Sequence, residues 1–210
     1  MLAGVNLSSA NRNSRFSPSN PQRPTPNPQK PPVVTVFGSS RAEHDSPEYR
    51  QAYQLGKLLA EAGYVVCNGG YSGTMEAASR GCKDAGGRTV GVTVEVFAGR
   101  LANEFVDEEV GTASLLMRLD KLTALADAFI VLPGGLGTLL EMALVWNLWS
   151  LQVYPDKPII LLGPAWKATM ECMSQHLMIR EIDLAVFTFA ERPEDALAAL
   201  ARAQSPTGLA

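Results

Sequence analysis

The stretch AFIVLPGGLGTLLEM, residues 128–142, decides the fold of this chain. Its first five residues are apolar, Pro133 ends the run, and Gly134, Gly135 and Gly137 precede a helical pattern. Because glycine costs conformational entropy, a close approach or a positive φ angle should justify it in such a turn. A short apolar strand that leads through a turn into a helix is typical of a βα unit.

Apolar runs of the same kind recur along the chain from Val33 onward. They cover residues 33–37, 64–67, 88–94, 128–132, 157–163 and 184–189. Helical patterns separate them; one starts with Ser46 as N-cap and Pro47 as first residue, and another covers 193–203. Nearly continuous apolar strands indicate a sheet that is covered on both faces. The sequence therefore predicts an α/β fold with a doubly wound parallel sheet, in a single domain over residues 33–210.

Residues 1–32 differ in composition from the rest of the chain. Seven prolines lie between Pro18 and Pro32, with Ser, Asn, Gln and Arg between them. Such a segment cannot bury enough apolar surface to offset the entropy of ordering it. The sequence predicts a disordered, proline-rich tail.

Charge and cysteine content exclude several classes of protein. The net charge is −3 and the basic residues are scattered, which argues against a nucleic-acid partner. No apolar run reaches the roughly 18 residues of a membrane span. Cys67, Cys82 and Cys172 form no CxxC pair, so we expect reduced thiols and a cytoplasmic protein. Neither His44 nor His176 has a second ligand at metal spacing, and we expect no metal site.

Three predicted strands end in loops rich in glycine and small polar residues. In a doubly wound sheet, ligands bind at these carboxyl ends, and free backbone N–H groups at a helix start favour phosphate. The candidate phosphate- or nucleotide-binding residues are Gly38, Ser39, Ser40, Gly69, Gly70, Ser72, Gly73, Gly134, Gly135, Gly137 and Thr138. Tight turns alone would also explain some of these glycines. Neither GxGxxG nor GxxxxGK[ST] occurs, which argues against a dehydrogenase or a P-loop NTPase.

Two charged residues near these loops are candidates for chemistry. Thr138 and Glu141 fit a T-x-x-E capping box, which would give Glu141 a purely structural role at the start of the helix. Alternatively, a carboxylate beside an anion site could bind a hydroxyl group of the substrate or a water molecule. Arg118 falls within the apolar stripe of its helix, between Leu115 and Leu122. A buried arginine needs an anionic partner, either a structural carboxylate or a bound phosphate.

These residues resemble the LONELY GUY (LOG) family, whose members are often mislabelled lysine decarboxylases. The PGGxGTxxE signature of the family is present at residues 133–141, and Arg118 precedes it at the family's spacing. The segments VFGSS (36–40) and GGYSGTM (69–75) resemble the family's two other loops. The resemblance implies a Rossmann-like fold and covers roughly residues 33–180.

The resemblance also implies an activity. Characterised LOG proteins are phosphoribohydrolases that split cytokinin or adenosine 5′-monophosphates into free base and ribose 5-phosphate. It implies that Arg118 and Glu141 are catalytic, that Gly134, Gly135, Gly137 and Thr138 hold the phosphate, and that no cofactor is needed. It further implies a homodimer or a higher homo-oligomer, to which the apolar helix MALVWNLWSL (142–151) could contribute.

The chain departs from the LOG pattern in two places near the expected substrate. The Arg-Lys pair of the family is Arg118-Leu119 here, with Lys121 as a candidate replacement for the missing cation. The GGGSxGLMG loop has become GGYSGTMEAASRG, which places Tyr71 and Glu76 in new positions. Two functions therefore stay open: a nucleotide hydrolase, or a non-catalytic protein that binds a nucleotide or a phosphorylated cofactor such as molybdenum cofactor.

Overall fold

A computed structural model describes residues 30–96 and 101–204. Most of the predicted tail, residues 1–29, lies outside the described residues. The compact unit that contains the sheet begins at Pro31.

The described residues form alternating strands and helices. The strands are β1 (Val33–Phe37), β2 (Val65–Asn68), β3 (Thr89–Val94), β4 (Glu108–Thr112), β5 (Ala128–Val131), β6 (Ile159–Leu162) and β7 (Phe187–Ala190). The helices are α1 (Pro47–Glu61), α2 (Thr74–Asp84), α3 (Leu115–Leu125), α4 (Leu136–Ser150), α5 (Ala165–His176), α6 (Glu181–Leu184) and α7 (Pro193–Gln204). Ser46 caps α1 as predicted, because its side chain accepts a hydrogen bond from the Tyr49 N–H.

The seven described strands form one parallel sheet in the order β4-β3-β2-β1-β5-β6-β7. The chain starts in the centre at β1, extends to one edge through β4, then returns to the centre at β5 and extends to the other edge. The topological switch point therefore lies between β1 and β5, where Val34 pairs with Ala128.

Helices cover both faces of the sheet. One core contains apolar residues of α1, α2 and α7, and the other contains apolar residues of α3, α4 and α5. The central strands β1, β2, β5 and β6 are buried along their whole length, as their continuous apolar sequences require. The predicted α/β, doubly wound parallel sheet is confirmed.

Two details differ from the sequence predictions. Strand β4 was missed, because its sequence EEVGT is polar and mostly exposed at the sheet edge, where backbone pairing with β3 holds it. The buried face of α3 is rotated relative to the predicted stripe. Arg118 and Leu122 are buried as predicted, but Leu115 is 38% exposed, and Leu119 and Thr123 are also buried.

Candidate functional site

The predicted loops after β1 and β5 meet at the switch point. They border a solvent-open cavity of about 500 Å³, a size common for small-molecule sites. The cavity is lined by Ser39, Arg41, Ala42, Glu43, Ser46, Glu48, Pro133, Gly134 and Gly135. One wall therefore consists of loop 39–48, and the other is the start of the PGGxGT segment.

Helix α4 begins with free backbone donors beside this cavity. Gly135 is its N-cap, and no side chain caps the helix. In the described part of the chain, the N–H groups of Gly135, Leu136, Gly137 and Thr138 have no protein acceptor. They point out of a helix start, where the macrodipole also favours an anion.

The predicted capping box of Thr138 and Glu141 is wrong. The helix starts at Leu136, so Thr138 is already its third residue and not its N-cap. The Glu141 carboxylate binds Arg118 instead of a backbone N–H. The structural explanation for Glu141 that the sequence offered is therefore removed.

The three glycines of the PGGxGT segment have different reasons to be glycine. A Cβ at Gly134 would lie 2.1 Å from Thr138 Oγ1, so close packing excludes a side chain there. Gly135 and Gly137 have open space where a Cβ would lie, and neither has a positive φ angle. Neither packing nor backbone strain requires glycine at these two positions, and both are open to a ligand.

The loop after β2 has a different role in the described structure. The N–H of Gly70 donates to Asn68 Oδ1, at 2.8 Å, and the N–H of Thr74 donates to the Ser39 carbonyl, at 2.9 Å. The Ser72 hydroxyl donates to the Ser40 carbonyl, at 3.1 Å. The Gly70 bond shapes the β2 loop itself, and the bonds from Thr74 and Ser72 hold it against the β1 loop. A phosphate-binding role for Gly69, Gly70, Ser72 and Gly73 stays a prediction.

Close packing also explains the glycines where these two loops meet. Gly73 has a φ of 72°, and a Cβ there would lie 2.3 Å from the Ser39 carbonyl oxygen. A Cβ at Gly38 would lie 2.2 Å from Thr74 Oγ1. The start of α2 is therefore fixed to the end of β1, which gives the cavity a rigid floor.

Arg118 and Glu141 form a buried ion pair between α3 and α4. Arg118 Nη1 lies 3.2 Å from Glu141 Oε1, and Arg118 Nε donates to the Val92 carbonyl at 2.8 Å. The Arg118 side chain is 7% exposed and that of Glu141 is 11% exposed. Neither member of the pair lines the cavity.

Burial raises the pKa of Glu141 to about 7, although the positive charge and hydrogen bond of Arg118 act in the opposite direction. The carboxyl is therefore poised to change its protonation state near neutral pH. Such a shift is common at catalytic carboxylates, and structural ion-pair networks also produce it, so the geometry of the site has to decide between the two.

The β2 loop encloses the Arg118 guanidinium. A Cβ at Gly69 would lie 1.9 Å from Arg118 Nη2, so only glycine leaves room for this side chain position. The ring centroid of Tyr71 lies 5.7 Å from Arg118 Cζ, and the Tyr71 hydroxyl accepts a hydrogen bond from the Val94 N–H at 2.9 Å. Gly69 and Tyr71 thus fix Arg118, a role that the sequence pattern did not reveal.

The other residues at which the sequence departs from the LOG pattern, Leu119, Lys121 and Glu76, form no ion pair with Arg118 or Glu141 in the described structure. Leu119, at the position of the family's lysine, is buried, and Lys121 is exposed. Glu76 accepts a hydrogen bond from the Tyr49 hydroxyl and pairs with His44 at 3.3 Å. Asn68, which no sequence motif marked, shapes the β2 loop through Met75, Ser79 and Gly70.

No cluster of three or more His, Cys, Asp or Glu residues that could hold a metal occurs in residues 30–96 and 101–204. Across the same described ranges, every helix is too short or too polar to cross a membrane.

Comparisons with known sequences identify relatives of two kinds. A protein of Archaeoglobus fulgidus that carries only the name "uncharacterized protein" is 38% identical over 130 residues, which cover 62% of this chain and 83% of that protein. The cytokinin riboside 5′-monophosphate phosphoribohydrolase of Mycobacterium marinum is 37% identical over 135 residues, covering 63% of this chain and 71% of the enzyme.

Solved structures of the same fold include molybdenum cofactor proteins. The molybdenum cofactor binding protein of Rippkaea orientalis has a TM-score of 0.68 and 28% identity, covering 84% of this chain and 99% of that one. The molybdenum cofactor carrier protein of Chlamydomonas reinhardtii has a TM-score of 0.64 and 25% identity, covering 83% and 98%. Residues 31–196 match the model of the SLOG cluster4 family. The predicted LOG resemblance is confirmed, and the chain belongs to the LOG-like SLOG cluster4 family.

Proposed function

We propose that this protein hydrolyses the N-glycosidic bond of a nucleoside 5′-monophosphate, a cytokinin riboside or purine nucleotide, to free base and ribose 5-phosphate. The observation that carries the proposal is the buried Arg118–Glu141 pair, held next to the uncapped start of α4. A relative at 37% identity bears the name of such an enzyme, which supports the same reaction.

The phosphate has a natural position at the start of α4. The free N–H groups of residues 135–138 supply donors, and the absent side chains of Gly135 and Gly137 leave room for it. Glu141 follows Leu136 by five residues, so its backbone lies about 7.5 Å further along the helix axis at about 1.5 Å per residue. This separation suits a ribose whose 5′-phosphate sits on the helix start and whose anomeric carbon approaches the carboxylate.

The residues can then supply what the reaction needs. The bond from C1′ of the ribose to the base nitrogen breaks, and the ribose develops positive charge as in glycoside hydrolysis. Water adds its hydroxyl to C1′, and its proton leaves with the base. An ionised Glu141 stabilises the cation or orients that water, while Arg118 holds the carboxylate and balances charge on the departing side.

A second function has support of its own. The similarity to two molybdenum cofactor proteins and the loss of the family's lysine at Leu119 both favour a protein that only binds a nucleotide or a phosphorylated cofactor. The same glycine-rich helix start would hold its phosphate. The intact Arg118–Glu141 pair favours hydrolysis over this alternative.

Chromatography of reaction mixtures separates the two functions. Purified protein is incubated with AMP and with isopentenyladenosine 5′-monophosphate, and free base and ribose 5-phosphate are measured together. The proposal expects equal amounts of both products from the unaltered protein. Ligand binding without either product would overturn hydrolysis and support the carrier function.

Two variants test the roles of the pair, with Glu171→Gln on the exposed surface of α5 as a matched control. Glu141→Gln should reduce base release at least about a hundredfold and spare most nucleotide binding. Because the amide leaves the buried Arg118 without an anionic partner, thermal unfolding of each variant is measured beside base release, so that lost folding is distinguished from lost chemistry. Arg118→Ala should weaken both binding and turnover, since it removes a buried cation. An active Glu141→Gln protein would contradict the catalytic assignment.

We also propose a homodimer in the cytoplasm. On α4, Leu136, Leu139 and Leu140 are exposed, as are Leu116 and Met117 of α3. Monomeric proteins rarely expose large apolar side chains in such groups, and a second copy of the chain would cover them. The three free cysteines support a reducing compartment.

A further inference from the structure

The cavity at the switch point contains a cation that the proposed function does not yet use. Arg41, Glu43 and Glu48 all line the cavity. None of the three forms an ion pair within the described residues, whereas eight other pairs do form there. These three exposed side chains, without an ion-pair partner among the described residues, therefore line one wall of a cavity of about 500 Å³.

The backbone at Arg41 is held in place. Its N–H donates to Ser39 Oγ at 3.1 Å, and the Ser39 carbonyl in turn accepts hydrogen bonds from the N–H and the hydroxyl of Thr74. Arg41 thus extends from a loop that is anchored to the start of α2. The Arg41 side chain is exposed and is free to turn toward a ligand in the cavity.

The opposite wall of the cavity favours the same kind of ligand as a guanidinium does, namely an anion. It consists of Pro133, Gly134 and Gly135, which carry no polar side chain, and it leads to the free N–H groups at the start of α4. An anion between the two walls would receive backbone donors from one side and a bidentate guanidinium from the other. The carboxylates of Glu43 and Glu48 cannot bind an anion, and Glu48 already has a structural reason in the first turn of α1.

We propose that Arg41 binds the 5′-phosphate of the substrate, across the cavity from the glycine loop. The inference rests on the proposed function and assigns a phosphate ligand outside the PGGxGTxxE segment. The two arginines then have different roles: Arg41 binds the phosphate, and Arg118 holds the Glu141 carboxylate.

Titration calorimetry with three ligands tests this role. AMP and ribose 5-phosphate carry the phosphate, and adenosine lacks it. Affinities are compared for Arg41→Ala, Arg41→Lys and the control Arg202→Ala, which removes an exposed arginine of α7. All variants are made in the Glu141→Gln background, so that the ligand is not consumed.

The proposal expects Arg41→Ala to weaken AMP and ribose 5-phosphate at least about tenfold and to leave adenosine within about twofold. Lysine should restore part of the loss, because it keeps the charge without the planar fork. Unchanged AMP affinity, or an equal loss for AMP and adenosine, would overturn the role of Arg41 while leaving the proposed function standing. If the parent protein binds none of the three ligands, the proposed function and this inference fail together.

Discussion

Replacing Gly137 with alanine tests whether this glycine serves a ligand site or only a tight turn. Gly137 is the second residue of α4, and no heavy atom lies within 4 Å of the position that an added Cβ would take. Alanine is preferred over glycine inside a helix by up to about 1 kcal/mol. The variant should therefore be more stable than the parent, with a melting temperature higher by about 2–4 °C for a chain of this size.

The same methyl group should damage ligand binding. Side chains in a helix tilt toward its N-terminus, so the methyl extends toward the place proposed for the phosphate. Loss of one hydrogen bond to a charged group costs about 1.5–3 kcal/mol, which corresponds to roughly a tenfold to hundredfold weaker affinity for AMP. Calorimetry and thermal unfolding on the same samples measure both effects. We expect stability and affinity to move in opposite directions.

Gly111→Ala is the matched control, because Gly111 also has open space around it but lies in β4, outside the three loops. It should leave the AMP affinity unchanged. If Gly137→Ala raises the melting temperature and leaves AMP binding unchanged, the start of α4 does not hold the phosphate. If it lowers the melting temperature, the view that glycine is structurally unnecessary there is refuted.

Three further predictions concern the pair and the assembly. Since the pKa of Glu141 is raised to about 7, kcat/KM should rise as the pH increases through about 7, because the ionised carboxylate is the active form. The free energy of unfolding should fall as the pH rises from 4.5 to 7, because the folded state holds the Glu141 proton more tightly than the unfolded state does. A pH-rate profile and urea titrations at several pH values check both. Gly69→Ala should displace the Arg118 guanidinium and reduce kcat/KM about a hundredfold with no change of charge, and full activity would refute the proposed positioning. Sedimentation should show a dimer at micromolar concentration and a monomer for Leu140→Glu, whereas a monomeric parent would contradict the proposed interface.

The central fold was predictable from the sequence because its strands are buried on both faces. Continuous apolar runs such as residues 33–37 and 128–132 have few alternative structures once glycine and proline end them. Strand β4 carries no such signal. Its pairing with β3 depends on a neighbour already in place and on contacts such as the one from Thr93 Oγ1 to Glu109 Oε1, at 2.6 Å.

The sequence predicted which residues belong to the candidate site, but not which of them contact one another. The position of Arg118 on an apolar stripe indicated a buried anionic partner, and the PGGxGTxxE signature singled out Glu141. That each is the partner of the other depends on the packing of α3 against the sheet, which spacing along the chain does not encode. The start of α4 was misjudged because Thr138 is a strong N-cap residue by type, while the helix in fact includes Gly137 in its first turn.

The position of Glu141 poses an electrostatic problem that the pair resolves. A carboxylate near a phosphate site would repel the ligand if both were fully charged. Burial raises the pKa of Glu141, so part of the population is neutral at pH 7, and Arg118 offsets the charge of the ionised form. In the proposed function, a phosphate at the start of α4 would therefore meet weaker repulsion, and the carboxylate would remain able to ionise as positive charge develops on the ribose. The combination of a perturbed carboxyl, a fixed guanidinium and an open glycine surface is what favours chemistry over simple binding at this site.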